Sequence, residues 1–155
     1  MSNIIQKAFT IEYSRVVNVL ETRVRISEYF DSDTYKDTFY PSIFEFNATW
    51  DTGAMTSVIS TNVIEKLSLE PIGKETVGHG GGISVANKYL VNIFLPNEII
   101  FTSLEVLGMP ISVDILIGMD IISQGDFAIT ASQGNTKFSF HIPSTHNTDY
   151  MIESY

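Results

Sequence analysis

The sequence predicts a mostly β protein. Three observations carry that expectation: apolar residues recur with a period of two, turn signals punctuate the alternating segments, and only one stretch has the capping pattern of a real helix. The chain has 155 residues, of which 44% are hydrophobic, enough for one domain with a substantial core.

Taken in order, the first strong alternation is in ETRVRIS, where Arg23 and Arg25 alternate with Val24 and Ile26 as the wet face of a strand. Residues 30–41, FDSDTYKDTFYP, are polar enough to be an exposed loop. In SIFEFNATW, Phe44, Phe46, Ala48 and Trp50 fall on one face and Glu45, Asn47 and Thr49 on the other, a half-buried strand leading into Asp51. NVIEKLSL is the short helix, with Asn62 and Glu65 placed as a capping box. KYLVNIFLP alternates again, turns at Pro96-Asn97 and pairs as a hairpin with IIFTSLEVL. VDILIG is consecutively apolar, as for a strand covered on both faces, and GMDIIS offers a second helical turn beyond Gly118, which Asp120 is expected to cap. FAIT and TKFSFHI are two strands joined through residues 132–135, and the tail from Thr145 reads as loose.

Composition excludes several functions. Eighteen acidic against nine basic side chains give a net charge of -9, which repels phosphate backbones and predicts no nucleic-acid partner. With no cysteine, disulfides, thiolate zinc sites and cysteine nucleophiles are out. No apolar run approaches the roughly 20 residues that span a bilayer, and MSNIIQKAFTIEYSR lacks the core of a secretory signal. The expectation is a soluble, cytoplasmic protein without a membrane partner. His141 and His146, five apart across Pro143, have no carboxylate or Cys arrangement around them in the sequence, so neither a metal nor any other cofactor is expected.

The stretch WDTGAMTSVIS, residues 50–60, places one acid at the end of an apolar strand and surrounds it with small residues. An aspartate that acts on a substrate needs a rigid mount and close access. The strand end supplies the mount, Gly53 removes a β-carbon, Ala54 keeps the next position small, and Thr52 offers a hydroxyl to tie the loop. The same triplet also suits an ordinary turn.

The wider order resembles the retropepsin-like aspartic peptidases, the retroviral protease type. Asp51-Thr52-Gly53-Ala54 matches the catalytic motif, so the resemblance makes Asp51 the catalytic aspartate, supported by Thr52, Gly53 and Ala54. VGHGGGISV matches the Gly-rich flap that closes over substrate, with Gly78, His79, Gly80, Gly81 and Gly82 at its tip. Leu116, Ile117 and Gly118 match the apolar-apolar-Gly element that packs behind the catalytic loop. The likeness runs over residues 44–130. It implies a closed or partly open β-barrel of the retropepsin (acid protease) type with one short helix. Residues 41–143 form that domain, preceded by a β extension and exposed loop (1–40) packed on the barrel and followed by a tail (144–155). His79 departs from the apolar residue usual at such a flap tip and, with a His pKa of about 6.5, could make closure pH-sensitive.

Aspartic peptidases of this kind use two carboxylates sharing one proton, because like charges about 3 Å apart cannot both ionise. Here the triplet occurs once, and Asp114 and Asp120 lack its Thr-Gly context. The second acid is therefore expected to be Asp51 of another copy, in a homodimer that cleaves peptide or protein substrates. Apolar residues near Val85, Ile111 and Val113 are expected to line its pockets. Two other readings stay open: a catalytically silent module of this fold that dimerises or binds peptide, and a plain β-sandwich in which these residues are core and turns. His79-Gly80-Gly81-Gly82 also copies a lipase oxyanion signature, but no G-x-S-x-G elbow accompanies it.

Overall fold

A computed structural model describes residues 6–31 and 41–150. The strands are β1 (Lys7–Glu12), β2 (Glu21–Glu28), β3 (Phe44–Trp50), β4 (Val58–Ile59), β5 (Gly73–His79), β6 (Gly82–Leu95), β7 (Ile99–Gly108), β8 (Ile115–Ile117), β9 (Asp126–Thr130) and β10 (Lys137–Ile142). Among the described residues, two short helices, α1 (Thr61–Leu67) and α2 (Met119–Ile122), complete them, with a 3-10 turn between β9 and β10. The expected strands and both helical turns are present. The loop expected over residues 30–41 lies almost wholly outside the described residues.

Strands β2, β3, β8, β4, β7 and β6 follow one another in hydrogen-bonded order, and β2 pairs again with β6 to close the ring. This is the closed β-barrel expected of the retropepsin type, with β5 attached outside it to β6 as a long hairpin. Alternation sends Val24 and Ile26 of β2, and Phe46, Ala48 and Trp50 of β3, into one core, leaving Arg23 and Arg25 exposed. Arg23 pairs there with Glu45, and the Arg25 guanidinium lies 5.7 Å from the centre of the Phe94 ring.

A second sheet runs β1-β10-β9, antiparallel throughout. Its inner face meets the barrel at Trp50, whose ring stacks on Phe127 at 5.6 Å and lies 5.0 Å from Phe138 and 5.2 Å from Phe140. The indole Nε1 donates to Thr22 Oγ1 at 3.0 Å, so this large ring is buried without an orphaned donor. Trp50 is thus a core anchor immediately before Asp51.

The helix caps differ from expectation. Ser60 is the N-cap of α1, its Oγ accepting from Val63 N, while Asn62 lies inside the helix and donates to Asp114 Oδ1 at 3.2 Å. The helix starts earlier than its apolar pattern suggests because Ser60 leaves β4 in extended conformation and can turn its hydroxyl back at once. Asp120 does not cap α2 from outside; it sits in the first turn, after the N-cap Gly118.

Candidate active site

The loop that carries Asp51 takes its path from strand order. β8 lies between β3 and β4, parallel to the first and antiparallel to the second. The chain leaving β3 at Trp50 must therefore cross the end of β8 before entering β4 at Val58. Gly118 stands at that crossing. A β-carbon there would lie 2.8 Å from Ala54 O and 2.9 Å from the Thr56 carbonyl carbon, so only glycine fits beneath the loop.

Backbone bonds staple the crossing in place. Asp51 N donates to Ile117 O at 2.9 Å, Met119 N to Ala54 O at 2.8 Å and Asp120 N to Met55 O at 3.1 Å. Buried Ser57 completes the fastening. Its amide donates to Asp120 Oδ2 at 2.9 Å, its hydroxyl donates to Asp120 Oδ1 at 2.7 Å, and the same oxygen accepts from Gly118 N at 3.0 Å. Sequence reading missed both roles, since a serine after the triplet and an aspartate after Gly118 look like ordinary turn residues.

The half-buried Asp51 side chain points back over its own loop, Oδ1 accepting from Gly53 N at 2.8 Å. A β-carbon on Gly53 would sit 3.1 Å from that oxygen and crowd the carboxylate. Thr52 is exposed, and its hydroxyl makes no hydrogen bond among the described residues; the tie expected of it is made within this chain by Ser57.

Asp51, Gly53 and Ala54 open on a cleft of about 400 Å³ whose opposite side is formed by Glu75, Thr76, Val77, Gly78 and Gly80 of the β5–β6 hairpin. His79 pairs with Gly82 across the tip, leaving Gly80 and Gly81 as the two-residue turn. Gly82 has φ +121°, a conformation that excludes most other residues. The hairpin and the Asp51 loop thus line one cleft; the His79 side chain lies outside what is described.

The apolar cleft wall, Val58, Val77, Leu107, Met109, Ile111 and Leu116, belongs to a small cluster separate from the main core, which also includes buried Ala86. Leu116 and Ile117 divide the work of β8, Leu116 facing the cleft and Ile117 fully buried. Of the pocket residues expected from sequence, Ile111 lines this cleft, Val85 is exposed on the flap strand, and Val113 lines a different groove beside Ser60 and Asn62. Met55, on the loop, and Ile83, on β6, are 85% and 80% exposed.

One titratable cluster lies elsewhere. Register across the β9–β10 hairpin sets His141 opposite Asp126, and the chain after β10 brings His146 to the same carboxylate. Thr145 N and His146 N also donate to it, so this first part of the tail is tied down rather than loose. The Ser144 hydroxyl above all, then the Thr145 amide, holds the Asp126 carboxyl well below the usual carboxylate range. The sequence hid this acid because it lies a hairpin away from both histidines. Among the described residues, no helix is long and apolar enough to cross a membrane.

Comparison with known proteins follows the same lines. The family model described as Aspartyl protease matches residues 44–121. The fold resembles that of a retropepsin-like aspartic protease from Rickettsia conorii, with TM-score 0.52 and 11% identity over 91% of this chain and 98% of that one. EIAV protease, solved with the inhibitor HBY-793, aligns with TM-score 0.48 and 25% identity over 68% of this chain and 86% of that one. Simian foamy virus protease aligns with TM-score 0.43 and 17% identity over 67% and 92%. No curated protein matches the chain. With the family model spanning half of the sequence, from the strand that carries Asp51 through the glycine beneath its loop, the chain belongs to the retropepsin-like aspartyl protease family.

Proposed function

We propose that the protein is an aspartic endopeptidase that works as a homodimer, with Asp51 of each copy supplying one of the two catalytic carboxylates. The observation that carries this reading is the mounting of Asp51: its amide and its Oδ1 are both held, while the carboxylate opens on an apolar cleft beneath a glycine-tipped hairpin. The chain has one such acid and the mechanism needs two. The exposed Thr52, Met55 and Ile83 border the side on which a second copy and a substrate would lie.

In the proposed reaction, the ionised Asp51 takes a proton from a water as its oxygen attacks the peptide carbonyl. The protonated Asp51 of the other copy gives its proton to the carbonyl oxygen. The resulting tetrahedral diol collapses with protonation of the amide nitrogen, breaking the C–N bond and returning the shared proton. The flap, Gly78 to Gly82, would hold the substrate backbone and exclude water. Substrate side chains beside the scissile bond would be apolar, to match Val58, Val77, Leu107 and Ile111.

The test is a peptide-library digest from pH 4 to 7 with wild type and Asp51→Asn. Asparagine keeps the Gly53 hydrogen bond but cannot act as the base, so cleavage should vanish while the dimer and its melting temperature persist. Wild-type cleavage by the variant refutes the assignment. A wild-type dimer that cleaves nothing at any pH favours the silent peptide-binding module instead.

A further inference from the structure

The cluster at the start of β9 has no part in the peptidase reading, yet it gathers three metal-ligating side chains. Asp126 Oδ2 lies 3.1 Å from His141 Nδ1 and 2.9 Å from His146 Nδ1, and one ligand atom from each residue falls within 4.8 Å of the others. The two oxygen–nitrogen spacings are near the distance of about 3.3 Å that separates neighbouring donors of a tetrahedral ion with ligands about 2.0–2.2 Å away.

Hydrogen bonding alone accounts poorly for the arrangement. Asp126 Oδ2 is approached by two imidazole nitrogens and by the amides of Thr145 and His146, at 2.9 to 3.1 Å, while Oδ1 meets the Ser144 hydroxyl. A carboxylate offers about four acceptor sites over its two oxygens, so four groups converging on Oδ2 exceed what that atom alone can accept. A cation seated between Oδ2 and the two Nδ1 atoms eases the crowding, because both imidazoles then present lone pairs to the ion and only the two amides donate to Oδ2.

The cluster is also built on rigid parts. His141 and Asp126 are cross-strand partners, and a β-carbon on Gly125 would meet His141 O at 2.3 Å, so the two strands pack there with no slack. Their side chains are 17% and 19% exposed, whereas that of His146 is 71% exposed and leaves the remaining coordination position open to solvent.

We propose that Asp126, His141 and His146 form a site for a divalent transition-metal ion, zinc by its two-nitrogen, one-oxygen donor set, which clamps residues 144–146 onto the β9–β10 hairpin. Imidazole with one carboxylate favours zinc over magnesium or calcium, which seek oxygen ligands. Because β1 pairs with β10, the ion would stiffen the whole three-stranded sheet beneath Trp50.

Untagged, chelator-stripped full-length protein should be titrated with zinc chloride by calorimetry at neutral pH, and with cobalt(II) for its visible absorption. The expected result is one zinc per chain, a raised melting temperature and a tetrahedral cobalt spectrum. His146→Ala, at an exposed position that should not disturb folding, should weaken zinc binding at least about tenfold, as expected for loss of a direct ligand. Asp126→Asn should do the same if it folds. Absence of zinc binding by the wild type, or affinity unchanged in His146→Ala, overturns the proposal.

Discussion

Asp120 holds Ser57 through both of its carboxylate oxygens, one on the serine amide and one on the hydroxyl. The pair joins the chain on either side of β8, and Ser57 Oγ passes the connection on to the Gly118 amide. Asp51 sits at the other end of the same crossing, its amide fixed to Ile117. Its position is therefore set by residues that do not line the cleft.

Ser57→Ala tests that support. Ser57 is fully buried, so loss of its hydroxyl leaves the Gly118 amide without its partner and removes one of the two donors to Asp120 Oδ1. We expect about 1–3 kcal/mol of destabilisation, read from denaturant unfolding, with a larger proportional loss of peptidase activity at temperatures where the variant is folded.

Gly118→Ala and Gly80→Ala form a contrasting pair. The first puts a methyl against immovable backbone, at 2.8 Å from Ala54 O; the second meets nothing within 4 Å. Gly118→Ala should cost about 1–3 kcal/mol and displace the loop that carries Asp51, whereas Gly80→Ala should leave stability within about 0.5 kcal/mol. Equal melting temperatures for the two variants would contradict the packing described.

Trp50→Ala should be the most damaging single change. The indole joins the barrel to the three-stranded sheet through Phe127, Phe138 and Phe140, and its removal should cost about 3–5 kcal/mol by thermal or chemical unfolding.

Asn92 offers a stability test away from the cleft. Almost fully buried, it bridges Ser103 N at 3.0 Å and Phe30 O at 3.1 Å where β6 and β7 slip out of register. Asn92→Ala should cost about 1–3 kcal/mol with little change in cleavage specificity.

Local pattern explains why much of the fold was readable. The alternation in SIFEFNATW follows directly from a strand with one wet face, and the Pro96-Asn97 turn marks the hairpin after KYLVNIFLP, a strand whose second face is itself half-buried or buried. What the pattern does not carry is pairing between distant strands. Closure of the barrel by β2 against β6, the crossing over β8 and the meeting of Asp126 with His146 all depend on register set far along the chain. Asp120 shows the same limit at one residue: its local context suggests a cap, and its partner Ser57 is 63 positions away. Asn62 shows a milder version, displaced as cap by a serine two positions earlier that the strand end already presents.

Shared catalysis is tested most directly by mixing subunits. Wild type and Asp51→Asn, co-refolded in varied proportions at constant total concentration, give dimers in which both copies are wild type with a frequency equal to the square of the wild-type fraction. At an equal mixture the activity should fall to about one quarter of the wild-type value, since a symmetric site needs an acid from each copy. A fall to about one half, the result for copies that each carry a complete site, would contradict the account.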